Sequence, residues 1–185
     1  YILDGRNVVT ETTLPLAWIN KDYQNMLNIH ERFGKLKLKS FPTISRWKRN
    51  IIDFRNRYTK IMPLNFITYN KEEAKSLIKS EFNWVDYGGK HYESVFTRFY
   101  QGYILPEKFK IDKRKLHLSS LIVTNQTTRH NAIEILKNSP YPSQVELEND
   151  LEYFLKKMNW TQNDLELYLS RDPKPHNQYD SEFKL

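Results

Sequence analysis

Apolar side chains recur at three- and four-residue intervals along most of this chain, and this spacing constrains its fold more than any other feature. Such a period places apolar residues on one face of an α-helix. Only Ile2–Leu3 and residues 63–69 read as possible short strands, and the second of these could equally be an extended linker. A complete doubly wound sheet needs regular alternation of strands and helices, which is missing here. The sequence therefore predicts a mainly α fold with one or two short strands.

Capping residues, prolines and glycines set the predicted helix boundaries. Thr13 precedes a helix that has Pro15 in its first turn, and Gly34 closes this helix. Capping-box spacing starts two other helices, at Asn70/Glu73 and at Ser143/Glu146. The remaining helices are predicted over residues 43–58, 92–104, 113–123, 127–136 and 161–169, and Pro106 is expected to limit the one that begins near Tyr92.

The helix predicted over 43–58 combines basic and aromatic side chains. Five apolar residues follow 3–4–3–4 spacing, which favours a buried stripe: Ile44, Trp47, Ile51, Phe54 and Tyr58. Five cations lie off that stripe: Arg46, Lys48, Arg49, Arg55 and Arg57. Basic residues interleaved with aromatics are also typical of nucleic-acid-binding surfaces. The alternative function is therefore a non-enzymatic basic helical interaction or nucleic-acid-binding module, although the stripe favours core packing and nucleic acid is not the expected partner.

Charge and composition narrow the class of protein. The net charge is +7, but residues 35–60 hold nine Lys or Arg against one Asp, whereas residues 139–185 hold five against nine Asp or Glu. The absence of cysteine excludes disulfides and thiolate catalysis. No apolar run is long enough to span a bilayer, so no membrane partner is expected. The predicted organisation is a single mostly helical domain over 1–170 and a polar, mobile tail over 171–185.

Two adjacent glycines, Gly88 and Gly89, are followed at once by ionisable residues. Lys90, His91 and Glu93 come directly after them, and Arg98 lies further along the helix predicted from Tyr92. Glycines allow close approach of a ligand to the backbone, and a helix N-terminus suits an anion. A base and an acid beside such a turn could orient a sugar or move protons. The alternative is a tight turn followed by a solvated, charged helix start.

Two further clusters carry polar chemistry. In the first, Lys113 and His117 share a helix face. Arg114 and Ser119 on the same helix, and Arg129 at the start of the next one, are further donors for a phosphate or carboxylate. The alternative is a solvated basic face.

The second cluster consists of five residues that follow the first strand, where ligands bind in open α/β folds: Asp4, Gly5, Asn7, Thr10 and Glu11. Their alternative is an ordinary turn. No set of side chains has metal-ligand spacing.

The order of residues in and around these motifs resembles that of a known family. The segment Tyr87-Gly-Gly-Lys-His-Tyr-Glu-Ser-x-Phe-Thr-Arg-Phe-Tyr-Gln101 is followed by Leu105-Pro-Glu-Lys-Phe-x-Ile-Asp-Lys-Arg-Lys-x-His117-Leu-Ser-Ser and by Gln126-x-Thr-Arg129. Together they resemble the C-terminal half of the bacterial N-acetyl sugar amidotransferases. These are PP-loop ATPases of LPS O-antigen and pseudaminic or legionaminic acid biosynthesis. The resemblance runs from about Ile2 to about Leu169.

The resemblance implies a fold and a set of site residues. The fold would be the helical C-terminal half of an α/β PP-loop (adenine nucleotide α-hydrolase-like) enzyme. The implied catalytic residues are Lys90, His91 and Glu93. The implied phosphate- and nucleotide-binding residues are Asp4, Gly5, Asn7, Thr10, Glu11, Lys113, Arg114, His117 and Arg129. The implied substrate-binding residues are Gly88, Gly89, Arg98 and Ser119.

The chain also departs from the family pattern. It lacks the Ser-Gly-Gly-x-Asp-Ser loop that grips the pyrophosphate of ATP, and it lacks the N-terminal cysteines. The expectation is a C-terminal portion, inactive alone, of a bacterial cytoplasmic enzyme. The intact enzyme would use ATP and Mg²⁺, held outside this portion, with a sugar or sugar-nucleotide substrate and ammonia from a class I glutaminase partner. Exposed apolar surface would favour a homo-oligomer.

Overall fold

The computed structural model describes residues 1–11, 13, 22–55, 58–89 and 92–183. These residues are mainly helical, which confirms the predicted fold class. The helices run in chain order as α1 (Val8–Glu11), α2 (Tyr23–Phe33), α3 (Arg46–Phe54), α4 (Lys71–Phe82), α5 (Val95–Phe99), α6 (Leu105–Phe109), α7 (Arg114–Val123), α8 (Arg129–Lys137), α9 (Gln144–Met158) and α10 (Gln162–Ser170).

The contacts divide the chain into two units. The first comprises Tyr1–Asp4, Pro15–Ile61 and Lys174–Leu185, and the second comprises Gly5–Leu14 and Met62–Pro173. Neither unit ends at residue 170, where the sequence placed a boundary. The predicted mobility of residues 171–185 stays a prediction.

A two-stranded parallel sheet lies in the first unit. β1 (Ile2–Leu3) pairs with β2 (Lys60–Ile61), and the Lys60 ammonium lies 3.3 Å from the carboxylate of Asp4. Of the two interpretations of residues 63–69, a strand or an extended linker, the strand is not observed, and the second strand lies a few residues earlier. Pro63 begins a 3-10 turn over Pro63–Asn65 because proline has no N–H to donate to a ladder.

The helices of the first unit begin and end at capping residues. Gly34 ends α2, as predicted, while the described start of this helix is at Tyr23, with Asp22 as its cap. The start predicted after Thr13, with Pro15, falls largely outside the described residues. α3 begins at Arg46 behind Ser45, three residues later than predicted, because the Ser45 hydroxyl accepts from the backbone N–H of Lys48.

The apolar stripe predicted for α3 is not a core. Trp47 is 75% exposed and Phe54 is 89% exposed, and none of the nine residues of α3 is buried. The spacing correctly indicated an amphipathic helix. It was wrong about burial, because spacing cannot show whether a partner covers the apolar face.

Asp22 joins the start of α2 to the chain end. Its carboxylate accepts hydrogen bonds from the backbone N–H groups of Asn25 and Glu182 and from the Ser181 hydroxyl, and it lies 2.8 Å from the His176 Nε2. Burial opposes the charge, but these hydrogen bonds outweigh it and hold the pKa of Asp22 well below its usual range. The hydroxyl and the imidazole meet the same carboxylate, so the three side chains are not ordered as a nucleophile, base and acid triad.

The core of the second unit is aromatic. It consists of Phe99, Ile104, Tyr141, Phe154 and Leu165, contributed mainly by the α5–α6 region, α9 and α10. The rings of Phe99 and Phe154 lie 4.7 Å apart between centroids, in the range of favourable aromatic pairs. This cluster fixes α5 against α9, and with it the segment that leads into α5.

The helix that begins at Val95 does not stop at Pro106, so that prediction is wrong. A π-helical turn over Tyr100–Ile104 joins α5 to α6, and the Leu105 N–H donates to the Tyr100 carbonyl five residues back. In a regular α-helix the Pro106 ring would clash with the Gly102 carbonyl. The wider turn relieves this clash, and the helical path continues to Phe109.

Candidate functional site

The Gly-Gly turn is held to α4 by Asp86. One oxygen of this carboxylate accepts the Gly88 N–H at 2.9 Å, and the other lies 3.0 Å from the Lys75 ammonium. These two contacts keep the pKa of Asp86 below its usual range despite partial burial. Gly88 has φ +83°, a conformation that favours glycine. The turn predicted from the two glycines is thus present, with a conformational reason for the first.

Tyr92 anchors the other side of this turn. Its hydroxyl donates to the Pro140 carbonyl at 2.5 Å, and a Cβ at Gly89 would lie 2.8 Å from its ring. Burial raises the pKa of Tyr92, and the nearby charges of Arg114 and Asp112 act on the same hydroxyl. The hydroxyl end of Tyr92 therefore lies near the start of α7. Lys90 and His91, two predicted catalytic residues, lie outside the described residues.

The helix after the turn begins at Val95 rather than at Tyr92. Ser94 caps it, with its hydroxyl accepting from the Thr97 N–H at 3.3 Å. The third predicted catalytic residue, Glu93, therefore precedes the cap instead of lying in the first helical turn. An α-helix began where a capping side chain was available, which the apolar spacing alone did not indicate.

Arg98, predicted to bind substrate, forms an ion pair within the core instead. Its Nε and Nη2 lie 2.6 and 2.8 Å from the two carboxylate oxygens of Asp150, a residue only 3% exposed. The Tyr141 hydroxyl donates to the same carboxylate at 2.8 Å, and Glu146 lies 3.7 Å from the remaining guanidinium nitrogen. Bidentate geometry of this kind gives a strong charge-assisted pair.

This Arg98–Asp150–Tyr141 network links α5 to α9. Burial opposes ionisation of Asp150, but the Arg98 and Tyr141 hydrogen bonds outweigh it and lower the pKa of Asp150. Burial and the same carboxylate raise the pKa of Tyr141 far above its usual range. The sequence interpretation missed both partners. Asp150 lies among the apolar positions Leu147, Leu151 and Phe154 of α9, and an acid on an apolar stripe was the signal that could have revealed a buried pair.

The polar cluster after β1 meets α7 at its C-terminal half. Asn7, 8% exposed, accepts hydrogen bonds from the Thr10 N–H and hydroxyl and so caps α1. α1 packs on α7. The Ser120 hydroxyl accepts from the Thr13 N–H at 3.1 Å, and the Thr124 hydroxyl donates to the Val9 carbonyl at 3.2 Å.

Two features of this cluster differ from the sequence interpretation. Ser120, 1% exposed, is the buried hydroxyl of α7, whereas Ser119 was the residue predicted to bind substrate. Asp4 belongs to the first unit, while Gly5, Asn7, Thr10 and Glu11 belong to the second. Gly5 has open space around its Cα on the side where a Cβ would be.

Arg114 holds the N-terminal end of α7 against the C-terminal end of α8. Its Nη2 lies 2.8 Å from the Asp112 carboxylate, and its Nη1 donates to the Asn138 carbonyl at 2.9 Å. A cation at a helix C-terminus stabilises the helix dipole. Arg129 begins α8, so it lies at the other end of that helix. The helical rise over the six residues to Ile135, which also accepts from Arg114, is about 9 Å.

The predicted site residues of the second unit therefore form two groups at opposite ends of α7. The Tyr92 hydroxyl, on the residue that packs against Gly89, lies near Arg114 at the start of this helix. The α1 segment capped by Asn7 packs against the C-terminal half of α7, which the chain leaves on its way to Arg129. His117 and Ser119 lie on α7 between the two groups. Arg114 and Arg129, which the sequence put forward together as donors for a phosphate or carboxylate, lie at opposite ends of α8.

Within the described ranges, no group of three or more His, Asp or Glu side chains could hold a metal ion. In the same part of the chain, no helix has the length and the apolar character that crossing a membrane would require.

The family comparison covers the part of the chain that contains the Arg98–Asp150–Tyr141 network. The family described as "LPS biosynthesis protein WbpG-like, C-terminal domain" matches residues 93–185, which is 93 of 185 residues. The chain belongs to this family, and its membership implies a role in LPS biosynthesis. No curated protein and no solved structure matches the chain. The LPS-related, C-terminal part of the resemblance is thereby confirmed.

Proposed function

We propose that this chain supplies the acceptor-sugar site of an ATP-dependent amidotransferase of LPS biosynthesis. The observation that carries the proposal is the family match over 93–185, which begins two residues after the last residue of the Gly-Gly-Lys-His motif. The reaction converts the N-acetyl group of a sugar precursor to an acetamidino group. The motif resemblance supports the reaction class, and the separation of polar residues toward the two ends of α7 supports a site that binds two substrates.

The chemistry requires activation of a poor leaving group. An amide oxygen leaves readily only after it carries a phosphoryl substituent. In the proposed sequence the acetamido oxygen attacks the α-phosphorus of ATP and pyrophosphate leaves. Ammonia then adds to the amide carbon, AMP departs with the former carbonyl oxygen, and loss of protons gives the amidine. Cationic side chains near the phosphorus stabilise the charge that develops there.

The positions of the cations suggest a division of roles. Lys113, which directly precedes α7, would contact the acceptor sugar or its diphosphate together with Lys90, His91 and Glu93. Arg129, at the other end of α7, would contact the phosphates of ATP. The Arg98 guanidinium binds Asp150, and the Arg114 guanidinium binds Asp112 and carbonyls at the end of α8. These two arginines would position the residues that contact the substrates.

The remaining components belong to the intact enzyme. Mg²⁺ would neutralise the phosphates of ATP, and its ligands are not proposed among the described residues of this chain. A class I glutaminase would supply ammonia. The proposed location is the bacterial cytoplasm, where ATP and glutamine are available.

An isotope-transfer experiment tests the reaction. The intact enzyme is incubated with ATP, Mg²⁺, ammonia and an N-acetylated nucleotide sugar whose acetamido carbonyl carries ¹⁸O. We expect ¹⁸O in AMP and an amidine on the sugar, measured by mass spectrometry. Arg129→Ala should lower kcat/KM for ATP about a hundredfold, as does loss of one donor to a developing charge. Lys115→Ala, which removes an exposed cation of α7, is the matched control and should leave kcat/KM unchanged. Label in inorganic phosphate, or label retained on the sugar, contradicts the proposal.

A further inference from the structure

Residues 35–49 form a stretch that is both basic and apolar. It contains six Lys or Arg and no Asp or Glu. Its apolar side chains are nevertheless exposed: Leu36 is 83% exposed, Phe41 57% and Trp47 75%. We call residues 35–49 the basic–apolar stretch. Its net charge and its exposed apolar area must be explained together.

The alternation of Lys and Leu over residues 35–39 does not lead to burial of either set. In a strand packed on a core, one of the two alternating faces is covered. Here every residue from Lys35 to Phe41 is exposed. Together with His30 and Gly34, these residues line a cavity of about 640 Å³. The leucines and the lysines of this segment are therefore both exposed to solvent.

Part of the positive charge is used inside the first unit. The Arg46 guanidinium donates to the Glu182 backbone carbonyl at 3.5 Å, and the Arg49 guanidinium lies 3.6 Å from the Glu182 carboxylate. The lysines at 35, 37, 39 and 48 are exposed. An occupant of this surface must therefore be anionic and must also accept aliphatic side chains.

We propose that the basic–apolar stretch binds peripherally to a membrane surface rich in anionic phospholipid. Headgroup phosphates complement the lysines, and the interfacial region accepts Leu36, Phe41 and the amphipathic ring of Trp47. Lysine stems can lie along the apolar layer while their ammonium groups remain at the headgroups. Single-stranded nucleic acid offers phosphates and flat bases, which stack on aromatic rings but gain little from leucines. The exposed leucines therefore favour lipid.

This proposal replaces one expectation from the sequence. The expected absence of a membrane partner rested on the lack of a spanning segment, and a protein can lie on a membrane surface without spanning it. The proposal is independent of the amidotransferase reaction. It would place the proposed sugar chemistry next to a lipid surface.

Vesicle flotation of the 185-residue chain tests the proposal. Vesicles of phosphatidylcholine are compared with vesicles that also contain about one third phosphatidylglycerol, which gives them a negative surface potential like that of a cytoplasmic leaflet. We expect binding to the anionic vesicles alone and a decrease with rising salt. Each lysine near such a surface strengthens binding about fivefold, so Lys35, Lys37 and Lys39 all changed to Gln should weaken it about a hundredfold. Leu36→Ser with Phe41→Ser should weaken it about tenfold or more at unchanged charge.

The matched control changes Lys79, Lys115 and Lys156 to Gln, which removes the same charge from exposed sites of the second unit. It should bind the vesicles almost as the unchanged chain does. Equal losses in the two triple variants would reduce the effect to net charge and overturn the proposal. Binding of a single-stranded oligonucleotide without vesicle binding would overturn it in favour of nucleic acid. Circular dichroism confirms that each variant is folded.

Discussion

Asp150→Ala should destabilise the second unit by about 3–5 kcal/mol, the usual effect of removing one partner from a buried ion pair. The variant leaves the Arg98 guanidinium in a site that is mostly closed to solvent, and it also removes the acceptor of the Tyr141 hydroxyl. The loss comes mainly from the uncompensated charge. Urea unfolding at pH 7, followed by far-UV circular dichroism, measures the free energy of unfolding.

The same network offers a matched control. Glu146 contacts Arg98 at 3.7 Å and its side chain is 42% exposed, so Glu146→Ala should cost no more than about 1 kcal/mol. Similar losses for the two variants would mean that the Arg98–Asp150 pair has no special role in stability.

Acidification probes the same carboxylate. Because the pKa of Asp150 is lower in the folded chain than in the unfolded chain, its contribution is complete above the unfolded value, near 4. It is lost as the pH falls through the folded pKa. Asp150→Asn should remove this part of the acid dependence.

Gly102→Ala should destabilise the chain by about 2 kcal/mol, a typical cost of overpacking. A Cβ at this position would lie 2.8 Å from Cε2 of Tyr141. The ring cannot move away easily because its hydroxyl is bonded to Asp150 and the ring is buried. The higher helix propensity of alanine opposes this cost by about 1 kcal/mol. Thermal unfolding monitored by circular dichroism measures the difference.

Two variants make this prediction specific. Gly5→Ala meets no atom within 4 Å and should change stability little. Tyr141→Phe removes the hydrogen bond that holds the ring, so the double variant Gly102→Ala/Tyr141→Phe should lose less than the sum of the single losses. Strict additivity would show that the hydrogen bond to Asp150 is not what keeps the Tyr141 ring from yielding to the added methyl group.

Helix starts were predictable from the sequence where a capping side chain decides them locally. Asn70, Ser143 and Thr161 accept hydrogen bonds from N–H groups two or three residues later, and each begins the expected helix. The π-turn before Pro106 was not predictable, because a proline within a helix can either end the helix or be accommodated by a wider turn, and apolar spacing does not distinguish the two outcomes. Capping side chains fix helix starts locally, whereas the effect of an internal proline has to be read from the structure.

The site was predictable in composition but not in arrangement. The sequence identified the turn at Gly88 and the polar residues of α7, since both depend on neighbours in the chain. It gave Arg98 a ligand role because an arginine beside a glycine-rich turn suits an anion, whereas its carboxylate partner lies 52 residues away. Pairing with that carboxylate leaves only 18% of the Arg98 side chain exposed.

Binding of an N-acetylated nucleotide sugar to the 185-residue chain tests the central claim, that this chain carries the acceptor site, most directly. Thermal shift is measured at fixed salt with a panel of UDP- and CMP-linked N-acetyl sugars, and with UDP, CMP and the unacetylated sugars as references. The account predicts that at least one N-acetylated member raises the melting temperature more than its references do, and that Lys113→Ala abolishes this rise while Lys115→Ala retains it. A rise equal to that with the nucleotide alone, or no rise with any sugar, would contradict the claim.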